Sequence, residues 1–195
     1  SPDSSEMLPD RFDVIIIGGA LSGAATALLL KESKPELSIL IIERSDEFTR
    51  RVGESTVEIS SYFLGRVLGL TEHLNQAHLV KQGLRFWFYN DQAHCPSSCS
   101  EIGPTYNVRL ASYQVDRAQL DEFLLQKVRD LGVVVQRPAE VKSVSLAHGQ
   151  EQSVAFQCQG QSHALSARWI VDASGTARFL ARKNDWIVRN TEHPI

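Results

Sequence analysis

Few residues of this 195-residue chain are of the kinds whose abundance settles a protein class. Cysteine is scarce, with only Cys95, Cys99 and Cys158. A small odd set with no secretory signal excludes a disulfide-built fold and implies reduced thiols and a cytoplasmic location. Cys95 and Cys99 lie four residues apart beside His94, but no second pair with zinc-site spacing follows. They read as two incidental thiols in a loop, and no metal site is expected. No apolar run approaches the roughly 20 residues that a membrane-spanning helix takes. There is no excess of positive charge either: the formal net charge is −3, so no basic field invites nucleic acid. Residues 1–10 lack any apolar pattern and read as a flexible lead-in. What remains is 43% hydrophobic, enough for the core of one ordinary domain over residues 11–195.

What is present begins at residues 12–23, FDVIIIGGALSG. Residues 14–17 form an uninterrupted apolar run, as a central parallel strand buried on both faces requires. A glycine-rich bend follows, and then an Ala- and Leu-rich helix over residues 22–34, stopped by Pro35. A second apolar strand over residues 37–42 ends at Glu43, 20 residues beyond Gly23. An acid at that distance is placed to meet a ribose hydroxyl, while the bend and the helix N-terminus are placed to hold a pyrophosphate. The pattern departs from G-x-G-x-x-G at its middle position, where Ala20 stands and its methyl should crowd the ligand without excluding it. An acid at the end of strand two repels a 2′-phosphate, which disfavours NADP, but it does not separate FAD from NAD.

Along the rest of the chain, Ser55 and Glu58 form an S-x-x-E capping box, predicting a helix from about residue 56 to residue 68, closed by Gly69. A short helix is expected at 72–76, an aromatic strand at 84–89, a loop over 91–104 and an extended segment over 107–115. Asp116 caps an amphipathic helix on which Leu120, Phe123, Leu124, Val128 and Leu131 recur at helical spacing, and Gly132 ends it. A short strand at 133–136 precedes three strands at 140–146, 153–159 and 162–165, read as an antiparallel meander layered on the domain. A further apolar strand at 169–171 ends at Asp172, and the ASGT turn leads to a helix from residue 177. The alternation of strands and helices predicts an α/β fold, a Rossmann-like parallel sheet with helices.

Four stretches, VIIIGGALSG with Glu43, RRVGEST, YQVDRAQLDEFL and VDASGTAR, occur in the order found in FAD-dependent oxidoreductases of the flavin-dependent halogenase and aromatic hydroxylase group. The chain resembles that group over nearly its whole length. The resemblance implies FAD as cofactor, in a FAD-binding domain of the glutathione reductase and hydroxylase type. It implies that Gly18, Ala20, Leu21, Ser22 and Gly23 hold the pyrophosphate, that Glu43 takes the adenosine ribose, and that Arg44 lies against the adenine. From RRVGEST it implicates Arg51, Gly53, Glu54, Ser55 and Thr56 under the flavin. Gln114 and Arg117 open the helix that packs on the cofactor, and Asp172, Ala173 and Gly175 form a second nucleotide-proximal turn. Plainer readings stand beside these. Ser55 and Glu58 cap a helix, Arg117 is a surface arginine partnered by Asp116 or Asp121, and the ASGT turn merely connects strand to helix.

LVKQGLRFWF further resembles the halogenase segment in which a lysine acts on hypohalous acid, and it places Lys81 in that role. The implied chemistry runs through a C4a-hydroperoxide of reduced flavin, attacked by halide, and the substrate is a small aromatic or phenolic molecule. A separate flavin reductase is the implied partner. The other reading of Lys81 is a solvated loop lysine before a strand. Aromatic hydroxylation, flavin reduction and a non-catalytic flavin-binding subunit are the competing functions. The family's later motifs, a G-D pair and W-x-W-x-I-P, are expected beyond residue 195, so the chain reads as the N-terminal part of a longer enzyme.

Overall fold

The computed structural model describes residues 8–89, 91, 95–103, 105–106, 110–188 and 192; the first seven residues of the expected lead-in and His94 lie outside them. In chain order the elements are β1 (Arg11–Ile17), α1 (Leu21–Ser33), β2 (Ile39–Ile42), α2 (Glu58–Tyr62) running into a π turn (Phe63–Val67), and α3 (Thr71–Ala77). There follow β3 (Leu79–Lys81), β4 (Phe86–Phe88), β5 (Ser100–Ile102), β6 (Ser112–Gln114) and α4 (Arg117–Asp130). The chain continues with β7 (Val134–Gln136), β8 (Ala139–Ser145), β9 (Gln152–Cys158), β10 (Gln161–Asp172) and α5 (Phe179–Lys183). It divides into two compact units, Thr49–Leu120 and the remainder.

The larger unit is built on a six-stranded sheet of order β7-β2-β1-β10-β9-β8. β7, β2, β1 and the second half of β10 run parallel, while β9 and β8 run antiparallel at one edge. The apolar runs of β1 and β2 occupy the centre because both of their faces are covered: Ile15, Ile16, Leu40 and Ile41 are fully buried. One buried cluster joins Phe12, Ile15, Leu40 and Ile42 with Val154, Phe156, Leu165 and Ala167. Ala24, Ala27 and Leu28 of α1 are also fully buried.

The antiparallel strands are not a layer of their own, as the sequence reading had them. They extend the same sheet, because the segments read as separate strands at 162–165 and 169–171 are one strand, β10. Across the gap left between those two segments, Ala167 is fully buried and pairs with Phe12 of β1 on one side and Gln152 of β9 on the other, so the strand continues. β10 therefore pairs antiparallel with β9 in its first half and parallel with β1 in its second.

In the smaller unit two short antiparallel pairs form, β3 with β6 and β4 with β5. The second pair corrects the loop expected over 91–104, since Ser100, Glu101 and Ile102 pair with Phe88, Trp87 and Phe86. On α4, Leu120, Leu124, Leu125 and Val128 are fully buried, whereas Phe123 and Leu131 are exposed and leave the predicted stripe. Leu131 lies beyond the last residue of α4, and Phe123 sits at the edge of the buried face.

Candidate functional site: a nucleotide-type bend and a lysine–serine pair

Two constellations bring together residues expected to carry chemistry, one in each unit. In the larger unit, the bend between β1 and α1 lies at the carboxyl end of β1, with β2 on one side and β10 on the other. Ligands of open α/β sheets bind at such a switch of strand order. Gly18 has φ +101°, and a Cβ on it would come within 2.5 Å of the Ala173 carbonyl oxygen. A Cβ on Gly23 would come within 1.8 Å of the Gly18 carbonyl oxygen, so α1 leaves the bend with backbone packed directly on backbone. Ala20 is the N-cap residue of α1 with φ −72°, a conformation open to any residue, so the backbone there needs no glycine.

The first helical bond runs from the Ala24 N–H to the Ala20 carbonyl at 2.9 Å. The N–H groups of Leu21, Ser22 and Gly23 precede it and have no partner within the helix. No side chain caps this end, and no acid stands in the first turn. A 13-residue helix with uncapped donors and no competing negative charge fits the pyrophosphate of a dinucleotide.

Glu43 ends β2 and is buried, at 6% exposure. Its backbone is held on both sides, with its N–H donating to the Gln136 carbonyl and its carbonyl accepting from the Ala139 N–H. One carboxylate oxygen accepts the Gly19 N–H at 2.7 Å and the other the Ser45 N–H at 2.8 Å. A carboxylate has about four acceptor positions, so capacity remains for ribose hydroxyls. Arg44, the next residue, is exposed.

The loop after Glu43 is fixed by a network that no sequence motif signals. Arg137, whose side chain is 5% exposed, forms a two-bond fork with Glu122 at 2.7 and 2.8 Å. Its Nε donates to the Ser45 carbonyl, and its guanidinium lies 4.3 Å from the centre of the Phe48 ring. The Arg137 hydrogen bonds hold the Glu122 carboxyl below the usual range, against the opposing effect of burial, and the Phe48 N–H acts in the same direction.

At the end of β10, the Asp172 carboxylate accepts N–H groups from Ser174 and Leu180. Asp172 thus ties the second turn to the start of α5. Ala173 donates its N–H to the Ile17 carbonyl and backs onto Gly18, while Gly175 has φ +63°.

The second constellation lies in the smaller unit. Residues 54–56 run antiparallel beside β6: the Val115 N–H donates to the Glu54 carbonyl at 2.7 Å, and Ser55 bridges Gln114. Thr56 is buried, its hydroxyl donating to the Tyr113 carbonyl at 2.7 Å and accepting the Tyr113 N–H at 2.8 Å. The predicted capping box does not form. α2 starts at Glu58 after an N-cap Val57 with no side-chain bond, because the 54–56 segment is drawn into pairing with β6. Arg117 donates to the Val52 carbonyl at 3.2 Å, and a Cβ on Gly53, φ +95°, would meet its guanidinium at 2.9 Å. Arg51 is half-buried in the same loop, and Gln114 is exposed.

On the far side of β6, Lys81 ends β3 rather than standing in a loop, and it pairs with Ser112. Its ammonium donates to the Ser55 hydroxyl at 2.7 Å. Two stretches singled out separately in the sequence therefore meet in one hydrogen bond.

The family profile described as "FAD binding domain" matches residues 11–185. The chain belongs to this FAD-binding family. It is similar to the flavin-dependent halogenase armH5 of Armillaria mellea, 25% identical over 92% of this chain and 35% of the relative. It is also similar to the 1H-pyrrole-2-carbonyl peptidyl-carrier-protein brominase of Pseudoalteromonas luteoviolacea, 30% identical over 88% of this chain and 39% of the relative. The solved structure of the myxobacterial chondrochloren halogenase CndH matches with a TM-score of 0.73 at 27% identity, over 87% of this chain and 38% of that one. The chain thus spans little more than a third of the length of these relatives.

Other groups of this FAD-binding chain were not signalled by any sequence pattern. His73 and His78 meet edge to face at 5.1 Å, and His78 Nδ1 accepts the N–H of Asp116. Burial holds both imidazoles below their usual pKa, and the two repel each other's charged forms at His73, while Asp116 partly opposes the shift at His78. All three cysteines are unbridged. The Cys95 thiol is brought down to about 7 by the hydroxyls of Ser97 and Ser98. Among the described residues no cluster suited to a metal ion is found, and no helix is long and apolar enough to cross a membrane.

Proposed function

We propose that this chain is the FAD-binding portion of a flavin-dependent halogenase acting on a small aromatic or phenolic substrate. The observation that carries the reading is the 2.7 Å hydrogen bond from Lys81 to Ser55, which joins the lysine segment to the GEST segment. In this reading Gly18, Ala20, Leu21, Ser22 and Gly23 take the pyrophosphate of FAD, and Glu43 and Arg44 take its adenosine end. Arg51, Gly53, Glu54, Ser55, Thr56, Gln114 and Arg117 serve its flavin end, while Asp172, Ala173 and Gly175 form the turn behind Gly18. Bound and reduced, FAD supplies the two-electron activation of dioxygen by which halide becomes hypohalous acid.

Lys81 holds the oxidised halogen by hydrogen bonding, or carries it as a haloamine, and delivers it to an electron-rich aromatic carbon. The carbon gains halogen and loses its proton, and hypohalous acid is consumed to water. An open cavity of ≈ 440 Å³ beside the β4–β5 pair, lined by Leu84, Arg85, Trp87 and Tyr106 among others, offers aromatic surface of the kind such a substrate stacks on. A separate reductase supplies the reduced flavin. The three unbridged cysteines accord with a reducing compartment, the cytoplasm.

The test uses the full-length protein with reduced FAD, oxygen, chloride or bromide, and a panel of phenols and pyrroles. Halogenated product is expected, and Lys81→Ala is expected to lower its formation by about 10²-fold or more, the usual cost of removing a donor aimed at the reacting group. Halide-independent hydroxylation as the sole product would overturn the halogenase reading in favour of a monooxygenase.

A further inference from the structure

We propose that Ser55 is the positioning residue for Lys81, a role distinct from capping a helix and resting on the functional reading above. The argument is one of sheet register. β6 is the central strand of a three-stranded patch, with β3 on one side and residues 54–56 on the other. Ser112 and Gln114 of β6 are two residues apart and so face the same way. Lys81 pairs with Ser112, and Ser55 pairs with Gln114. Cross-strand partners share a face, so Lys81 and Ser55 emerge on the same side of β6 from opposite flanks. The lysine side chain reaches diagonally across β6 and ends on the serine hydroxyl at 2.7 Å.

Both ends are anchored. The Ser112 hydroxyl donates to the Lys81 carbonyl, and the Thr56 hydroxyl clamps the neighbouring backbone to Tyr113. Holding a lysine in one geometry costs rotamer entropy, so a fixed acceptor is what keeps it aimed. The choice of acceptor matters. A carboxylate there would neutralise the charge, whereas a hydroxyl takes one N–H, leaves two, and keeps its own proton to donate. The pair thus presents the ammonium and the hydroxyl together to an oxygen or a halogen held at one point.

The experiment compares Ser55→Ala, Ser55→Thr and Lys81→Ala in the full-length, FAD-loaded protein. At saturating FAD, Ser55→Ala is expected to lower kcat for halogenation about tenfold with KM for the aromatic substrate unchanged, and Ser55→Thr to restore most of the rate. A second readout needs no turnover: acylation of Lys81 by an amine-reactive ester, followed by peptide mass spectrometry, should quicken about threefold or more in Ser55→Ala once the ammonium loses its acceptor. Wild-type kcat together with wild-type labelling in Ser55→Ala overturns the proposal. Halogenation that survives Lys81→Ala removes the catalytic role of the lysine and with it the proposed role of Ser55, whereas halide-independent hydroxylation by the wild type overturns the functional reading itself.

Discussion

The two units build their functional groups from different material. In the larger one the candidate groups are mostly backbone: three N–H groups at an uncapped helix start and a bend where an added Cβ would meet carbonyl oxygens at 1.8 and 2.5 Å, with one buried carboxylate beside them. In the smaller one they are side chains, with Lys81 on Ser55, Thr56 on Tyr113 and His78 on Asp116. The surrounding packing differs to match. The central strands β1 and β2 bury their apolar residues almost completely, whereas Phe86, Trp87, Phe88 and Ile102 of the small β4–β5 pair stay 46% exposed or more. Backbone chemistry tolerates almost no change of shape at its glycines, while side-chain chemistry depends on register and on protonation.

That contrast can be broken most sharply at Gly23. Gly23→Ala sets a methyl group against the Gly18 carbonyl, and the helix must move. Overpacking of this kind costs about 3 kcal/mol. A lower denaturation midpoint and loss of FAD retention, read from the visible spectrum, are expected; a variant as stable and as yellow as wild type would show that the bend is looser than its backbone implies.

Next in size is the Arg137–Glu122 fork of the larger unit, where side chains carry the contact. Glu122→Gln leaves a buried guanidinium with a weaker partner, and because Glu122 is itself 42% exposed the expected loss is about 1–2 kcal/mol rather than that of a fully buried pair. The native carboxyl titrates below the unfolded one, so its contribution is full above the ordinary glutamate range and is lost as pH falls through the lower native value. Urea titrations across pH 3–7 should therefore converge for the two proteins at the acid end.

The histidine pair sharpens the comparison by pH. Both imidazoles titrate lower in the native protein than unfolded, so they favour folding fully above about pH 6.5 and progressively less as pH falls below it. Amide protection factors, which take out the intrinsic pH dependence of exchange, should fall across residues 71–78 and 116–119 between pH 6.5 and 5, with those of β1 and β2 unaffected. His78→Asn keeps an acceptor for the Asp116 N–H but removes the titration, and it should flatten that response. The smallest effect concerns Cys95. Its alkylation by iodoacetamide should reach half its maximal rate near pH 7, and Ser97→Ala should move the midpoint upward without altering stability.

Much of this was legible beforehand because it is local. A strand, a bend, a helix and an acid 20 residues on write themselves into consecutive residues, and Asp116 caps α4 as its position suggested, accepting the N–H groups of Ala118 and Gln119. The capping box at Ser55 and Glu58 misled because pairing with β6 outcompeted a local bond. The break seen near Ser166 misled because neighbouring strands, not composition, decide where β10 ends. Arg137, His73 and His78 gave no signal at all, since their partners lie far away in sequence or are plain backbone.

The amino-acid order alone marked out the glycine bend, the strand that feeds it and the acid that follows, since the whole pattern lies within residues 12–43. Only the tertiary structure decided that Lys81 and Ser55 meet, because that encounter depends on both segments pairing with the same strand, β6, and pairing partners are chosen by the folded sheet.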